Sequence, residues 1–371
     1  MLLLAPGAPR ELADGRDLTL VSGTNGKTTT TAFLAACLRL LGPVDVNDDG
    51  ANTRAGFVRT LASGNAARVV LETDEGWMPW AVEQVRPSTV ALLNLSRDQL
   101  HRHAEVSQVA RAWSRAMHDV PHVIANADDP AVVLAALAAP RQTWVSAGAR
   151  WTEDAAVCPR CTGLCRHAGS DWWCESCGLR RPGPSWWLEG TVLVGPGTRL
   201  PLDLALPGAA NLANAAIAVA TAAERGVDPA AAVQALRGIR AVAGRYDVFT
   251  TPTHQARLIL AKNPASWQEA LATVRQSPDP LVVAFNSEGV DGRDPSWLYD
   301  IPFRELAGRR IVVTGRRATD MLVRLELDGF TDVGRAHDVA AAIAMLPAGG
   351  VQVVANYTAF QEARQVLGRA R

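Results

Sequence analysis

The chain has 371 residues with 37 basic and 37 acidic side chains, and its zero net charge argues against non-specific binding to nucleic acid or anionic membranes. Its length predicts two or three domains, and 48% hydrophobic with 20% charged residues is typical of a globular protein rather than a disordered one. No apolar run reaches the roughly 20 residues of a spanning helix, and the start lacks the features of a signal peptide, so we expect a cytoplasmic protein.

Short apolar runs rich in β-branched residues alternate with helical patterns along the first 140 residues or so. Strands are predicted at Asp17–Ser22, Arg68–Glu72, Thr89–Leu93 and His122–Ala125, and helices at Lys27–Leu41, Ser107–Met117 and Pro130–Ala138. This alternation is the pattern of βαβ units, so it predicts an α/β fold with a parallel sheet.

Residues 151–184 interrupt this pattern, because they are rich in Cys, Trp, Gly and Arg and have no helical period. The α/β pattern then resumes in two series. The first has strands at Trp187–Val194 and Arg199–Leu206 and helices at Asn211–Arg225 and Pro229–Leu236; the second has strands at Ala256–Leu260, Leu281–Phe285, Arg310–Val313 and Val351–Ala355, and helices at Ser266–Arg275, Ala318–Leu327, Ala336–Leu346 and Ala359–Arg369. We therefore predict a first domain over 1–246 with an insertion at about 151–184, and a smaller C-terminal α/β domain over 247–371.

A glycine-rich segment, Gly23-Thr24-Asn25-Gly26-Lys27-Thr28-Thr29, joins the first predicted strand to the first helix. The glycines allow backbone N–H groups to surround phosphate oxygens, and the helix N-terminus adds partial positive charge. In this type of loop the lysine contacts the β- and γ-phosphates and the next hydroxyl binds Mg²⁺. The segment, called the phosphate loop below, predicts an ATP site, although a glycine-rich turn without a ligand is the alternative.

Acidic residues follow the strand at Arg68–Glu72, in Glu72-Thr73-Asp74-Glu75. Carboxyl ends of strands are where doubly wound sheets bind their ligands, and a Mg–ATP site needs carboxylates beyond the phosphate loop. We expect Glu72 to bind Mg²⁺ together with Thr28; a solvated acidic turn is the alternative.

Four cysteines form two Cys-x-x-Cys pairs, Cys158 with Cys161 and Cys174 with Cys177. This spacing predicts a structural zinc site with four thiolates, and such a closed site has no open position for catalysis. Cys165 and His167 lie between the pairs and are predicted not to be ligands, although ligand exchange stays open. Cys37 lies on the helix after the phosphate loop and is expected in the core.

The phosphate loop resembles the nucleotide loop of the Mur ligases, the ATP-dependent amide-forming enzymes of peptidoglycan synthesis. Further segments resemble the family in the same order along the chain: Glu72–Glu75, Asn94–His103, Asn126–Pro130, Asn211 with Asn214, and Gly244-Arg245. The resemblance covers nearly the whole chain. It implies that Lys27 acts on the phosphates, and that Asn211, Asn214 and Arg245 bind the nucleotide.

The chain differs from the usual Mur ligase pattern in three ways, and these differences point to one subgroup of the family. Gln99 stands where a metal-binding His is usual, which leaves a second magnesium open, and Lys262 stands where the family reads His before Asn-Pro. The phosphate loop begins near residue 22, which leaves no room for the N-terminal domain that holds a UDP-linked substrate. With the cysteine module and the string Asp291–Asp300, the chain is similar to one subgroup, the MurT-type subunits of lipid II isoglutaminyl synthase.

This resemblance implies a heterodimeric, glutamine-hydrolysing ligase of cell wall synthesis. The chain would amidate the α-carboxyl of D-glutamate in the stem peptide of lipid II through an acyl phosphate, with ATP, Mg²⁺ and structural Zn²⁺. Ammonia would come from a class I glutaminase subunit of the GatD type, whose Cys–His pair Asp294 would complete. The C-terminal domain would contact this partner, and the protein would reach the inner face of the membrane only through its lipid-linked substrate.

Two other functions stay open at the level of the sequence. A Mur-type amino-acid ligase acting alone is disfavoured by Lys262, and a zinc-ribbon nucleic-acid-binding protein with a regulatory P-loop domain is disfavoured by the zero net charge. The roles of His101 and His103 are open, and Lys262 is predicted to face either the phosphates or only its own turn. If Asp294 has no catalytic role, it caps a turn, as Asp291 and Asp300 also could.

Overall fold

The computed structural model describes residues 7–47, 52–98, 105–148, 153–239, 246–291 and 294–369. The chain divides into two compact units, residues 1–240 and 241–371. The predicted boundary after residue 246 stays a prediction, because residues 240–245 lie outside the described ranges.

The first unit is an α/β structure built on one large sheet. Its strands are β1 (Asp17–Ser22), β2 (Val44–Val46), β3 (Arg68–Thr73), β4 (Thr89–Leu92), β5 (His122–Asn126), β6 (Arg141–Ser146), β7 (Cys165–Ala168), β8 (Asp171–Cys174), β9 (Trp186–Glu189), β10 (Val192–Gly195) and β11 (Thr198–Pro201). Its helices are α1 (Ala8–Ala13), α2 (Lys27–Leu38), α3 (Arg54–Ser63), α4 (Met78–Val85), α5 (Val106–Met117), α6 (Pro130–Ala136), α7 (Ala209–Glu224) and α8 (Pro229–Leu236).

The order of strands in this sheet is β11-β10-β9-β6-β5-β4-β1-β3-β2 in the described part of the chain. From β2 to β9 neighbouring strands are parallel, whereas β10 and β11 extend one edge as antiparallel strands. The central strands β4 and β5 are buried along their whole length, which fits their continuous apolar sequences. After β1 the chain builds one side of the sheet and then returns to the other at β4, so the switch point of the topology lies between β1 and β4.

The cysteine-rich insertion forms a small hairpin of β7 and β8, with Cys165 opposite Cys174. Its buried side chains are Cys158, Cys165, Trp172, Cys174 and Leu179, and they pack with Val133 of α6. This module, called the ribbon below, therefore has a small core of its own that continues into the first unit.

The second unit has a six-stranded sheet in the order β12-β13-β17-β14-β15-β16. The strands are β12 (Tyr246–Thr250), β13 (His254–Leu260), β14 (Leu281–Ala284), β15 (Ile311–Thr314), β16 (Val333–Arg335) and β17 (Gly349–Ala355), and the helices are α9 (Pro264–Val274), α10 (Ala318–Leu327), α11 (Val339–Ala344) and α12 (Tyr357–Arg369). Among the described strands of this sheet only β12 is antiparallel to its neighbour, and apolar clusters fill both faces of the sheet.

Several boundaries differ from the predictions. The single strand predicted at Trp187–Val194 is two strands, β9 and β10, because Gly190 takes a left-handed conformation (φ +62°) that turns the chain back. Helices α3 and α4 were not predicted. Within the described residues no helix has the length and apolar character that crossing a membrane requires.

Candidate functional site

The phosphate loop lies between β1 and α2, as the sequence predicts. Gly26 is the N-cap of α2 with φ +86°, and as a glycine it has no side chain with which to cap the helix. A Cβ on Gly26 would lie 2.3 Å from Oδ1 of Asn214, and one on Gly23 would lie 2.8 Å from Cβ of Leu93. Both positions therefore require glycine, and the resulting turn presents the first turn of α2 with its positive dipole end to a ligand.

Lys27 is only 2% exposed, and its ammonium group is held inside the loop. Nζ donates to the carbonyl oxygens of Gly23 at 2.6 Å and Thr24 at 3.2 Å, and pairs with Oε2 of Glu75 at 2.8 Å. Glu75 is itself buried, and its carbonyl accepts a hydrogen bond from the indole of Trp113 at 2.9 Å. The structure thus adds Glu75 as the counter-ion of Lys27, a contact between residues 48 positions apart that sequence spacing does not reveal.

Glu72 is 1% exposed at the end of β3, which pairs with β1 so that Val21 lies opposite Glu72. Asn47 holds its backbone on both sides, with hydrogen bonds of 2.7 and 2.8 Å. Oε1 accepts from Nδ2 of Asn52 at 3.2 Å, whereas Oε2 has no hydrogen-bond partner among the described residues. A buried carboxylate oxygen without a partner beside a phosphate loop fits a cation ligand, so the residues present suit Mg²⁺.

The segment after β4 holds the phosphate loop in place. Oδ1 of Asn94 accepts from the backbone N–H of Asn25 at 2.9 Å, and the carbonyl of Asn94 accepts from the N–H of Thr24 at 2.9 Å. The N–H of Ser96 donates to Oγ1 of Thr24 at 3.0 Å. Asn94 begins the segment Asn94–His103, whose sequence resembles the Mur ligases, but its role as a support of the loop follows only from the structure.

The two asparagines assigned to the nucleotide lie on α7, which packs along α2. Asn214 is buried against Gly26, whereas Asn211, one turn earlier, donates to the carbonyl of Pro207 at 2.6 Å. The structure thus brings Asn214 to the loop, whereas the nucleotide-binding role of Asn211 stays a prediction. Three predicted positions, Arg245, His101 and His103, lie outside the described residues, as does Gln99.

The predicted segment Asn126–Pro130 follows β5. Asp129 caps α6 and accepts hydrogen bonds from the N–H groups of Ala131 and Val132, and also from Leu95 at 2.7 Å. Burial of this partly exposed carboxyl raises its pKa to about 6, against the lowering effect of those N–H donors. Asp128 accepts from the guanidinium of Arg181 in the ribbon at 2.8 Å and from the N–H of Gly148 at 2.6 Å.

The four predicted zinc ligands converge. The Sγ atoms of Cys158, Cys161, Cys174 and Cys177 all lie within 4.8 Å of one another. Cys158 and Cys177 are 3.6 Å apart and Cys161 and Cys174 are 3.5 Å apart, which is a compact set of four thiols of the kind that surrounds tetrahedral Zn²⁺. This group could therefore hold a metal ion.

The other two cysteines do not belong to this group. Cys165 faces the ribbon core, where burial raises its pKa to about 11, and His167 is exposed. Cys37 is fully buried on α2, as predicted, and burial raises the pKa of its thiol to about 12.

In the second unit, two aspartates of the Asp291–Asp300 string differ in their surroundings. Asp291 accepts from the N–H groups of Tyr357 at 3.0 Å and Thr358 at 3.1 Å and from the hydroxyl of Thr358, so it seals the N-terminus of α12. Burial raises its pKa. Asp294 is exposed and accepts from the N–H of Ser296 at 2.9 Å.

Lys262 precedes α9 in a tightly bonded turn. Its N–H donates to the hydroxyl of Ser266 at 2.8 Å, and Asn263 caps the helix in a reciprocal capping box with Ser266. The turn is thus stable without any ligand, and the proposed role of the Lys262 side chain stays a prediction.

Comparison of the sequence with known protein families identifies the family to which this chain belongs. The sequence profile of the Mur ligase middle domain matches residues 21–222, and that of the MurT ligase C-terminal domain matches residues 260–360. The chain belongs to the Mur ligase family. The first match covers the phosphate loop, Glu72, Asn214 and the four cysteines, and the second covers Lys262, Asp291 and Asp294.

Two curated relatives are subunits named "Lipid II isoglutaminyl synthase (glutamine-hydrolyzing) subunit MurT". The one from Streptococcus pneumoniae is 28% identical over 96% of this chain and 88% of its own length. The one from Staphylococcus aureus strain COL is 27% identical over 84% of this chain and 77% of its own length. The predicted resemblance to the MurT-type subgroup is confirmed.

Solved structures show the same fold. A pseudomurein peptide ligase type C from Methanothermus fervidus matches with a TM-score of 0.74 at 17% identity, over 96% of this chain and 79% of that one. MurF from Acinetobacter baumannii matches with a TM-score of 0.72 at 19% identity, over 98% of this chain and 78% of that one. The predicted fold, a Mur ligase α/β chain with a four-cysteine insertion and a smaller C-terminal α/β region, is confirmed.

Proposed function

We propose that this chain is the amide-forming subunit of a glutamine-hydrolysing lipid II isoglutaminyl synthase. It would convert the α-carboxyl of D-glutamate in the stem peptide of lipid II to the amide, with ATP as the energy source. The observation that carries the proposal is the phosphate loop, which contains the buried Lys27 and follows the strand paired with the strand of Glu72. The chain that contains it is similar to MurT subunits over most of its length.

The proposed reaction has two steps. A carboxylate oxygen of D-glutamate attacks the γ-phosphorus of ATP, the bond to the β-phosphate oxygen breaks, and ADP leaves. Ammonia then attacks the carbonyl carbon of the acyl phosphate, and inorganic phosphate leaves with the bonding electrons while the ammonia nitrogen gives up a proton. The catalytic task of the protein is mostly to position the groups and to offset negative charge, as in other phosphoryl transfers.

The residues of the loop have separate roles in the first step. The N–H groups of Gly23 to Thr29 would surround the phosphates, and Lys27 would exchange its contact with Glu75 for the β- and γ-phosphate oxygens. Thr28 and Glu72 would hold Mg²⁺, which supplies neutralisation of the phosphate charge when bound. Asn214, Asn211 and Arg245 are proposed to contact the rest of the nucleotide.

The ribbon would hold Zn²⁺ through Cys158, Cys161, Cys174 and Cys177. Four thiolates fill a tetrahedral shell, so the metal would stabilise the fold of the ribbon and would not take part in the reaction. The described residues contain no second cluster of this kind.

Ammonia would come from a glutaminase partner of the GatD type. In this proposal the second unit binds that partner, and the exposed carboxylate of Asp294 orients the histidine of the partner's Cys–His pair. The exposure of Asp294 supports this role because a carboxylate must reach beyond its own chain to serve another subunit.

The decisive experiment supplies the nitrogen in two forms. The full-length chain alone, with lipid II, Mg²⁺ and ATP, is expected to release phosphate and form the amide when ammonium is added, as measured by mass spectrometry of the stem peptide. With a co-expressed glutaminase, glutamine should replace ammonium. If single amino acids rather than ammonium trigger phosphate release, the chain is an amino-acid ligase and the proposal is wrong.

A further inference from the structure

The ribbon is fastened to the first unit at its first knuckle. Oδ2 of Asp154 accepts from the backbone N–H of Arg97 at 2.8 Å, and its other oxygen pairs with the guanidinium of the same residue. From α5, Nε of Arg111 donates to the carbonyl of Pro159 at 3.1 Å, inside the first Cys-x-x-Cys pair. These bonds join the loop after β4 and helix α5 to the chain on both sides of Cys158.

A second set of contacts fastens the other side of the ribbon. Arg181, which follows the second Cys-x-x-Cys pair, binds the buried carboxylate of Asp128 at 2.8 Å. The indole of the fully buried Trp172 donates to the carbonyl of Ala127 at 3.0 Å. The side chains involved are 13% exposed or less, so these contacts are better shielded from solvent than surface ion pairs. They hold the ribbon in one orientation.

Both fastening points are one residue away from groups that bind either the phosphate loop or the Asn94–Arg97 segment beside it. Arg97, bound by Asp154, follows Ser96, whose N–H donates to Oγ1 of Thr24 in the loop at 3.0 Å. Asp129, next to Asp128, accepts from the N–H of Leu95 at 2.7 Å. The segment from Asn94 to Arg97 is thus held on one side by the loop and on the other by the ribbon and its docking site.

We infer that the metal-loaded ribbon positions the phosphate loop through the Asn94–Arg97 segment, so that metal binding by the four cysteines and nucleotide binding by the loop are coupled. Asp154 and Arg97 are then positioning residues for the nucleotide site, although neither belongs to the loop. The inference rests on the proposed function, because it takes the nucleotide and metal sites from it.

The physical reason lies in the small size of the ribbon. Its described core has only a few buried side chains, which is too little to order such a module without a metal. When the ribbon loosens, Asp154 and Arg181 lose their fixed positions, and the Asn94–Arg97 segment loses its bonds to Asp154. Coupling free energies are reciprocal, so nucleotide binding must tighten metal binding by the same factor by which metal tightens nucleotide binding.

The test uses the full-length chain without metal and the same chain reloaded with Zn²⁺. Affinity for a fluorescent, non-hydrolysable ATP analogue is measured in both forms, and affinity for Zn²⁺ is measured with and without the analogue. We expect roughly tenfold tighter nucleotide binding by the zinc form and the same factor in zinc affinity. Circular dichroism establishes that both forms keep the folded first unit.

Variants separate coupling from general stability. Asp154→Ala removes the link but leaves the cysteines and the loop intact, and Arg97, with 36% of its side chain exposed, stays solvated. It should bind zinc yet bind the analogue roughly tenfold more weakly than the wild type, without a gain from metal. The matched control is Glu175→Ala, which removes an exposed ion pair with Arg166 inside the ribbon and should behave as wild type.

Two outcomes overturn the inference alone: equal nucleotide affinity with and without zinc, or an Asp154→Ala variant that keeps the wild-type dependence on zinc. A wild-type zinc form that does not bind the analogue at all overturns the proposed function, and the inference with it.

Discussion

The phosphate loop of the first unit and the Asp291–Asp300 string of the second lie in comparable places, each beside the N-terminus of a helix in an α/β unit. The N-cap of α2 is Gly26, which has no side chain to cap the helix, whereas the first N–H groups of α12 are taken by Asp291. The same helix end therefore presents its dipole to a ligand in one unit and is sealed in the other. Asp294, three residues along in the second unit, is exposed, and its proposed role is toward a partner.

The largest expected effect tests Asp294 as the acid that serves the partner. Asp294→Asn should lower glutamine-driven amidation by roughly 10⁴-fold, the size of the effect when the orienting acid of a triad is lost. Ammonium-driven amidation should stay at the wild-type rate, because it bypasses the glutaminase. Equal rates with glutamine and ammonium in the variant would assign Asp294 only to its turn with Ser296.

Next in size is the effect of Lys27. Lys27→Ala should reduce ammonium-driven amidation by roughly 100- to 1,000-fold, because the developing phosphoryl charge loses a preorganised cation. Initial rates of phosphate release at saturating lipid II give the measurement. Lys27→Ala removes the cation that pairs with the buried carboxylate of Glu75, which can lower stability. The double variant Lys27→Ala with Glu75→Gln, which replaces that carboxylate by a neutral amide, is the control for folding. A single variant that retains most of its activity would remove Lys27 from the site.

The third prediction concerns Asp129, which caps α6 in the first unit as Asp291 caps α12 in the second. Folding raises the pKa of Asp129 from 3.8 to about 6 through burial, so the folded state favours the protonated carboxyl. This contribution is complete below pH 4 and is lost as the pH rises to about 6, a change of roughly 3 kcal/mol in the free energy of unfolding.

Urea unfolding of the wild type and of Asp129→Asn between pH 4 and 7 measures this change. The free energy of unfolding of the wild type, relative to the variant, should fall across that range, because the asparagine does not titrate. A constant difference between the two proteins would mean that the three N–H donors hold the pKa of Asp129 near its ordinary value.

The smallest effect is expected for the sealed helix end. Asp291→Ala should lower the free energy of unfolding by about 1–2 kcal/mol, since the N–H groups of Tyr357 and Thr358 lose their acceptor. Ammonium-driven amidation by the folded variant should be unchanged at 25 °C. A loss of this activity without a loss of stability would mean that Asp291 has more than a capping role.

The local parts of the site could be predicted from the sequence because contiguous residues build them. Gly23 to Thr29 form a turn whose backbone geometry depends on its own glycines, and the two Cys-x-x-Cys pairs each form one knuckle. Their spacing is enough to predict the chemistry. The alternation of strands and helices likewise predicted the α/β class, since hydrophobic periodicity is a local property.

Contacts between distant residues could not be predicted in this way. The ion pair of Lys27 with Glu75, the support of Thr24 by Asn94 and Ser96, and the docking of Arg181 on Asp128 each join segments 48 to 72 residues apart. The resemblance assigned Asp294 to the partner, but the sequence did not reveal that Asp291, three residues earlier, binds the start of α12. Only the fold, which brings α12 against Asp291, decided that Asp291 is partly buried and Asp294 exposed.

The sequence by itself thus determined the fold class, the phosphate loop and the four thiols, because local spacing encodes each of them. The tertiary structure decided which of the acids is a counter-ion, which is a helix cap and which has an oxygen left for a cation. The physical reason is that a carboxylate takes its role from burial and from the donors around it, and both come from parts of the chain that are distant in sequence. Lys27 illustrates the difference: its place in the loop follows from the sequence, whereas its counter-ion Glu75, 48 positions away, was identified only by the fold.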